Sequence, residues 1–519
     1  MGGRDATGTP SPPNALVLRP GDDVAVAVRP IARGEKLGAP GIAVHAAEEI
    51  PRGHKAALRA IRKDEPIRKL GEVIGFATRE IAAGAHVHEH NCEARPFPRA
   101  RREAPGPPRP PRAAARRTFL GYRREDGAAG TRNYVAAIAT VACAASVARE
   151  IARRANAEIL PSHPGADGVF VVAHDTGCGI PEGGPDHERL ERTLAGFATH
   201  PNVAGSLLVG LGCEVAQPAK ILARAGAANP RLGSGRIRTA SIQELGGSAK
   251  TVEAGLRIAA ELLARASAER REAIPLARLV LALQCGGSDG YSAITANPAL
   301  GAACDALVAA GGTVVLAETP EVYGAEHLLA ARAVSDEVAE ALFERVRWWE
   351  EHVTRFGASI DNNPSPGNKA GGITTIYEKS LGAVAKAGSS PLVAVYGYAE
   401  RVRSSGLVFM DTPGYDPVSL TGLAAGGATV AAFTTGRGSV YALKPVPAVK
   451  IATTTELFER MGGDLDVDAG VILRGVPIET VGERIFERIL AVASGEKAKG
   501  ETCALGGQEF APWLFGPTL

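Results

Sequence analysis

Four cysteines each close an apolar, strand-like run beside glycine or a polar residue. The runs are Tyr134–Cys143, Gly168–Cys178, Leu207–Cys213 and Leu279–Cys285. Such runs read as buried parallel strands, and open parallel sheets take their ligands at the carboxyl ends of the strands. Four thiols at one rim would converge on one pocket, and a soft divalent metal is what that pocket would hold. The pattern points to an enzyme rather than a scaffold.

Around these thiols lie further reactive types. His174-Asp-Thr-Gly-Cys178 sets an imidazole and a thiol across a tight turn, as metal ligands or an acid–base pair. The plainer alternative is a buried histidine beside an inert cysteine. Gly212-Cys213-Glu214 has the same two readings. In Cys285-Gly-Gly-Ser-Asp289, two glycines let the backbone approach a ligand, while Ser288 and Asp289 add a hydroxyl and a hard oxygen. Asn362–Gly372 has glycines, prolines and no apolar period. It reads as a substrate clamp, with Asn368 and Lys369 as contacts, or as a surface excursion. Lys369 and Lys379 are base candidates, provided that burial or neighbouring cations depress them. Arg437, flanked by glycines after a strand, suits bidentate binding of a carboxylate, and a surface turn is the alternative. His86, His88 and His90 alternate, so a strand would put all three on one side, near Gly53-His-Lys55. A metal site, a substrate contact and a purely structural role all remain open for them.

These groups need a frame. The chain has 519 residues, enough for several domains, with 45% hydrophobic and 22% charged residues. A net charge of +2 and 5% aromatics offer neither field nor stacking platform for nucleic acid. No apolar run approaches a membrane span and no signal-peptide core opens the chain. Seven irregularly spaced cysteines fit a reducing cytoplasm better than a disulfide framework. Neither a Walker A motif nor a strand-associated Gly-x-Gly-x-x-Gly is present, so nucleotide hydrolysis and nicotinamide binding lack support. Residues 1–13 read as disordered, 14–92 as a small β-rich module, and 93–118 as a Pro/Arg-rich linker containing Pro107–Pro111. Residues 119–270 and 271–519 read as α/β units, with a break in the polar stretch Arg265–Ala277. Strands are expected at Thr313–Glu318, Pro391–Tyr398, Thr429–Thr435 and Val449–Thr453, and one long amphipathic helix at Gly324–Phe356.

The motifs, taken in order, resemble the altronate/galactarate dehydratase family of hydro-lyases. The resemblance is carried by Asp23-Val-Ala-Val-Ala, Gly53-His-Lys, Gly71-Glu-Val-Ile-Gly-Phe-Ala and His86-Val-His-Glu-His-Asn. It continues in Gly121-Tyr-Arg-Arg-Glu-Asp-Gly, Gly130-Thr-Arg-Asn, Gly210-Leu-Gly-Cys-Glu and Cys285-Gly-Gly-Ser-Asp-Gly. It ends in Ser365-Pro-Gly-Asn-Lys-Ala-Gly-Gly, Glu378-Lys-Ser-Leu-Gly, Thr435-Gly-Arg-Gly and Lys450-Ile-Ala-Thr. The chain departs from the family pattern at Gln284, at Tyr415, after Gly438 and in His174–Cys178, which bears on the substrate more than on the reaction. The resemblance implies a multidomain fold: an N-terminal β-clip (SAF) module, a dimerising α/β domain and a C-terminal Rossmann-like parallel sheet. It implies a homodimer and a divalent metal, Fe2+ before Mn2+; apart from the resemblance, three or four of the thiolates offer an iron–sulfur cluster as the alternative, although their spacing fits no compact ferredoxin-type run. It also implies dehydration of altronate, galactarate or another sugar acid to a 2-keto-3-deoxy acid. A sulfolactate-type sulfo-lyase and a non-catalytic sugar-acid-binding protein are the competing functions. Within this reading, His174, Cys178, Cys213, Glu214, Cys285 and Asp289 surround the metal. Asn368, Arg437, Ser288 and Lys55 bind substrate, and His174, Lys369, Lys379, His54 and His86 are the catalytic candidates.

Overall fold

The computed structural model describes residues 13–38, 42–97, 117–226, 229–507, 509–516 and 518. The Pro107–Pro111 run and residues 1–12 lie outside them.

The front module is built from two small antiparallel sheets. One orders Ala15–Leu16, Val24–Ala27, Lys55–Ala57 and His86–Val87, and the other Pro66–Lys69, Glu72–Ala77 and Cys92–Glu93. Its short strands alternate with Gly-containing turns, and Ile31, Leu37, Ile50 and Ala56 close a core of their own. The histidines of this module do not share a strand. His86 lies in a two-residue strand and His88–Asn91 turns back, so their rings meet through the turn instead of through a period of two.

Two parallel sheets form the body. The smaller orders Val169–Val172, Tyr134–Ala139, Val203–Gly210 and Ile237–Ser241. The larger has seven strands, in the order Leu392–Tyr396, Gly406–Met410, Thr313–Leu316, Val280–Cys285, Val430–Thr435, Ala448–Ala452 and Val467–Asp468. Every neighbour in both sheets pairs in parallel. The apolar runs form strands because both faces are covered. Leu281, Leu283, Val430 and Ala432 are fully buried, and each buried leucine contributes about 1.5–3 kcal/mol relative to exposure. In the larger sheet the chain leaves Val280–Cys285 on one side and returns on the other at Val430–Thr435. Such a reversal opens a crevice at the carboxyl ends, where Cys285 faces Thr434 in register. Helix Pro185–Ala198 packs on helix Asp416–Ala425 and joins the two units.

The expected helix over Gly324–Phe356 is two helices, Glu326–Ala330 and Asp336–Arg355. Between them the Val334 amide donates to the Leu392 carbonyl, and the Ser335 hydroxyl caps the second helix by accepting from the Val338 amide. No helix of the described residues is long and apolar enough to cross a membrane.

Candidate active site

The four strand-end cysteines belong to two sheets. Cys143, Cys178 and Cys213 follow strands of the smaller sheet and are exposed, whereas Cys285 closes a strand of the larger one and is buried. His174, Cys178, Cys213, Glu214, Cys285 and Asp289, expected around a single ion, are therefore not brought together in one group. Among the described residues, the groups of three or more potential ligands whose atoms lie within 4.8 Å of one another are His54/His86/His88 and Cys285/Glu318/Glu321. Asp289 is otherwise engaged: its Oδ1 accepts from the Tyr291 amide and the Ser292 hydroxyl, and its Oδ2 accepts from Thr453. Glu214 accepts from Thr140 Oγ1 and the Gly212 amide, bracing its own loop. His174 accepts from the Thr176 amide at Nδ1, and burial pushes its imidazole down to about 4, so it is a neutral loop support.

Helix Ile376–Ala385 organises the site. Thr375 caps it by accepting from the Glu378 amide, which sets Glu378 in the first turn. Lys379 and Lys386 are seven positions apart, two turns, and so share a face. Glu378 reaches the front module, where it receives Lys55 at 2.8 Å and Lys69 at 2.7 Å. Burial opposes its ionisation, but the two ammoniums overcome this and hold the carboxyl at about 2. Lys55 also donates to the Gly372 carbonyl and is fully buried, so in this structure it docks the module.

Lys379 and Lys386 reach the carboxyl ends of the larger sheet. Lys379 Nζ lies 2.7 Å from Glu321 Oε1 and 2.6 Å from Asn363 Oδ1, and Lys386 Nζ lies 3.0 Å from Cys285 Sγ and 3.3 Å from Glu318 Oε2. Burial would lower both lysines, yet the surrounding acidic groups raise them, so both are cations. Lys379 is thus not a free-amine base. Burial, together with the neighbouring Glu321, pushes Glu318 well up. Burial also disfavours Glu321, but Lys379 and Lys386 outweigh it and keep Glu321 ionised. Burial pushes the Cys285 thiol up to about 12, against the pull of Lys386. Asp416 Oδ1 accepts from Gln284 at 3.0 Å, and burial raises this carboxyl to about 6. Gly286 lies so close to Asp416 that a Cβ there would strike the carboxylate, and the next residue, Gly287, lies beside Arg437. Arg437 is exposed at this mouth. Neighbouring carboxyls with protonation pushed apart are the signature of acid–base chemistry. Glu318, Glu321, Lys386 and Asp416 were not singled out from sequence, although the apolar run ending at Glu318 gave the same strand-end signal as Cys285.

The turn from Gly286 to Gly290 carries this site to the histidines. Gly290 packs directly on the Gly53 carbonyl, where any side chain would collide, and donates its amide to the Gly371 carbonyl at 2.7 Å. Asn368 Nδ2 donates to the Ser288 carbonyl, while its Oδ1 accepts from Ser365, so both ends of this side chain tie loops together. Lys369 pairs with Glu89 at 3.0 Å beside the histidine turn. His54 Nδ1 lies 2.9 Å from His86 Nε2, and His54 Nε2 lies 3.4 Å from the Ala370 carbonyl. His88 Nδ1 meets Thr374 Oγ1 at 3.1 Å. Burial pushes His86 down to about 3 and His88 to about 4, with repulsion from neighbouring cationic groups adding to it.

Three neutral imidazoles crowded around one point suit a divalent cation. Metal-ligating histidines commonly hand their outer N–H to a carbonyl, as His54 can to Ala370. The Cys285/Glu318/Glu321 set fits less well, because Lys379 and Lys386 already supply two positive charges within hydrogen-bond distance.

Three family models cover the chain. Residues 13–95 match "Altronate/galactarate dehydratase SAF domain", 121–267 match "D-galactarate dehydratase/Altronate hydrolase, second domain", and 276–518 match "D-galactarate/Altronate dehydratase, C-terminal". The chain is 38% identical over 500 residues to an altronate dehydratase of Bacillus subtilis, covering 96% of this chain and 98% of that protein. It is 37% identical over 500 residues to an altronate dehydratase of Escherichia coli, with the same coverage. It is 38% identical over 461 residues to a galactarate dehydratase (L-threo-forming) of Escherichia coli, covering 87% of each chain. With matches to all three family models in order and these relatives along nearly its whole length, the chain belongs to the altronate/galactarate dehydratase family.

Proposed function

We propose that this chain, a hydro-lyase of the sugar-acid dehydratase class, dehydrates altronate, or failing that galactarate or another sugar acid, to the 2-keto-3-deoxy acid. The full-length likeness to altronate dehydratases supports the substrate class. The observation that carries the reaction is the buried cluster in which Asp416 and Glu318 are pushed up while Glu321 stays ionised.

Loss of water from a 2,3-dihydroxy acid requires a base for the weakly acidic proton beside the carboxylate and an acid for the departing hydroxyl. Asp416, titrating near neutrality at the mouth of the crevice, is the base. Lys379, held cationic by Glu321, delivers the proton to the hydroxyl. Arg437, across the same glycine pair, receives the substrate carboxylate through charge-assisted hydrogen bonds. Lys386 and Glu318 keep the local charge fixed while the proton moves. His54, His86 and His88 would hold a divalent ion, Fe2+ before Mn2+. Such an ion, when bound, would supply Lewis-acid stabilisation of the negative charge that develops on the substrate.

The test is an anaerobic screen of hexonates and hexarates with iron or manganese, read by 2-keto acid formation, with sulfolactate alongside. Turnover of altronate with no sulfite release from sulfolactate supports the reading. Sulfite release without keto-acid formation from any sugar acid overturns it, and a sugar acid bound but unchanged points to a binding protein.

A further inference from the structure

We propose that Cys143, Cys178 and Cys213 form a second metallocentre, a three-thiolate seat for a four-iron, four-sulfur cluster with one iron left open. It lies on the smaller sheet, whereas the acid–base cluster lies at the strand ends of the larger one. It goes beyond the dehydration reading and does not depend on it.

The topology brings the three cysteine-bearing loops to one rim of the smaller sheet. Their strands, Val169–Val172, Tyr134–Ala139 and Val203–Gly210, are adjacent in the sheet and run in parallel. The chain leaves Tyr134–Ala139 on one side and returns on the other, so the reversal that opens a ligand crevice falls between the strands that precede Cys143 and Cys213. The three loops are then tied to one another. The Ala142 amide donates to the Thr176 carbonyl at 2.8 Å, linking the Cys143 and Cys178 loops. The Val215 amide donates to the Gly177 carbonyl at 3.1 Å, linking Cys213 to Cys178. Thr140 Oγ1 donates to Glu214 Oε1 at 2.8 Å, linking Cys143 to Cys213. Glycines of left-handed backbone, Gly177 at φ +99° and Gly212 at φ +124°, immediately precede Cys178 and Cys213. All three thiols are exposed, whereas the residues bracing them, His174 and Glu214, are buried. Gln243 Nε2 donates to Cys213 Sγ at 3.5 Å, a contact of the kind that tunes cluster thiolates.

Three exposed thiolates suit a cube with one iron left open. A single ion draws its thiolates close together, and these three are not among the described groups whose ligand atoms fall within 4.8 Å. A cube binds each thiolate on a different iron and so holds them farther apart. Assembly is balanced as two ferrous ions, two ferric ions and four sulfides, with each thiol losing its proton to water on ligation.

The test uses the full chain, reconstituted anaerobically with equal ferrous and ferric iron and sulfide. The expected result is about four acid-labile sulfides per chain with broad visible absorption. Both should be lost in Cys143→Ser, Cys178→Ser and Cys213→Ser and retained in Cys285→Ser. Circular dichroism of the serine variants checks that the fold is kept, and the exposure of all three sites favours this. Iron bound without sulfide, a sulfide content that survives the three substitutions, or a disulfide between two of these thiols after anaerobic purification would each overturn the proposal. Sulfide content is read without turnover, so this result stands apart from the substrate screen.

Discussion

Glu378 and Lys379 are consecutive residues of one helix that serve different partners. Glu378 receives Lys55 and Lys69 from the front module, while Lys379 pairs with Glu321 at 2.7 Å in the acid–base cluster. A single turn therefore couples the docking of the front module to the geometry of the crevice.

Replacing Glu378 with Gln leaves two buried ammoniums without their carboxylate. Breaking a buried ion pair by removing one partner costs about 3–5 kcal/mol, and thermal unfolding of the variant should show a loss of that order. The pH dependence has a definite sign. The folded carboxyl sits at about 2, below its ordinary value of 4.5, so its contribution is present above about pH 4.5 and is lost as pH falls toward 2. The variant should lack that part of the acid destabilisation.

Asp416→Asn should lower kcat by about 10²-fold or more, the usual scale for a positioned base. In the unaltered chain, kcat/KM should rise with pH through about 6, as the carboxyl that burial has raised becomes ionised. A pH profile of the variant that keeps this limb would remove Asp416 from the role.

Arg437→Ala should raise KM for the sugar acid by roughly 10–100-fold, the equivalent of the 1.5–3 kcal/mol typical of a hydrogen bond to a charged group. Because the side chain is exposed at the mouth, the melting temperature should change little. Unchanged KM would mean that the carboxylate binds elsewhere.

His88→Ala, His86→Ala and His54→Ala should each reduce the divalent metal retained after desalting, measured by elemental analysis, while Cys285→Ser should retain it. Metal lost with Cys285 and kept without the histidines would move the ion to the carboxylate cluster.

Much of the frame is legible in the chain. Tyr134–Ala139, Val203–Gly210 and Val280–Cys285 are continuous apolar runs, and only burial on both faces makes such runs strands. Gly406–Met410, a strand of the larger sheet absent from the expected strands, carries the same kind of signal in its apolar run Leu407–Met410. What a run does not disclose is which sheet it joins. Each of the four cysteines visibly ends a strand-like run, yet the pairing of Val280–Cys285 with Val430–Thr435 rather than with Tyr134–Ala139 decides that Cys285 stands apart. The break at Ala331–Ser335 carries a local sign, Ser335 before Asp-Glu, that the apolar period on either side masks. Partnerships such as Lys55 with Glu378 span 323 positions and leave no local trace.

The glycine-on-glycine seat between Gly53 and Gly290 leaves no slack for gradual divergence. Side-chain interfaces can drift by compensating changes in size, but this one has no side chains to trade. The front module and the body must therefore be inherited as a matched pair. A chimera taking residues 13–95 from a relative should work only where that donor also keeps a bare backbone at the contact and two lysines placed to meet the body's carboxylate.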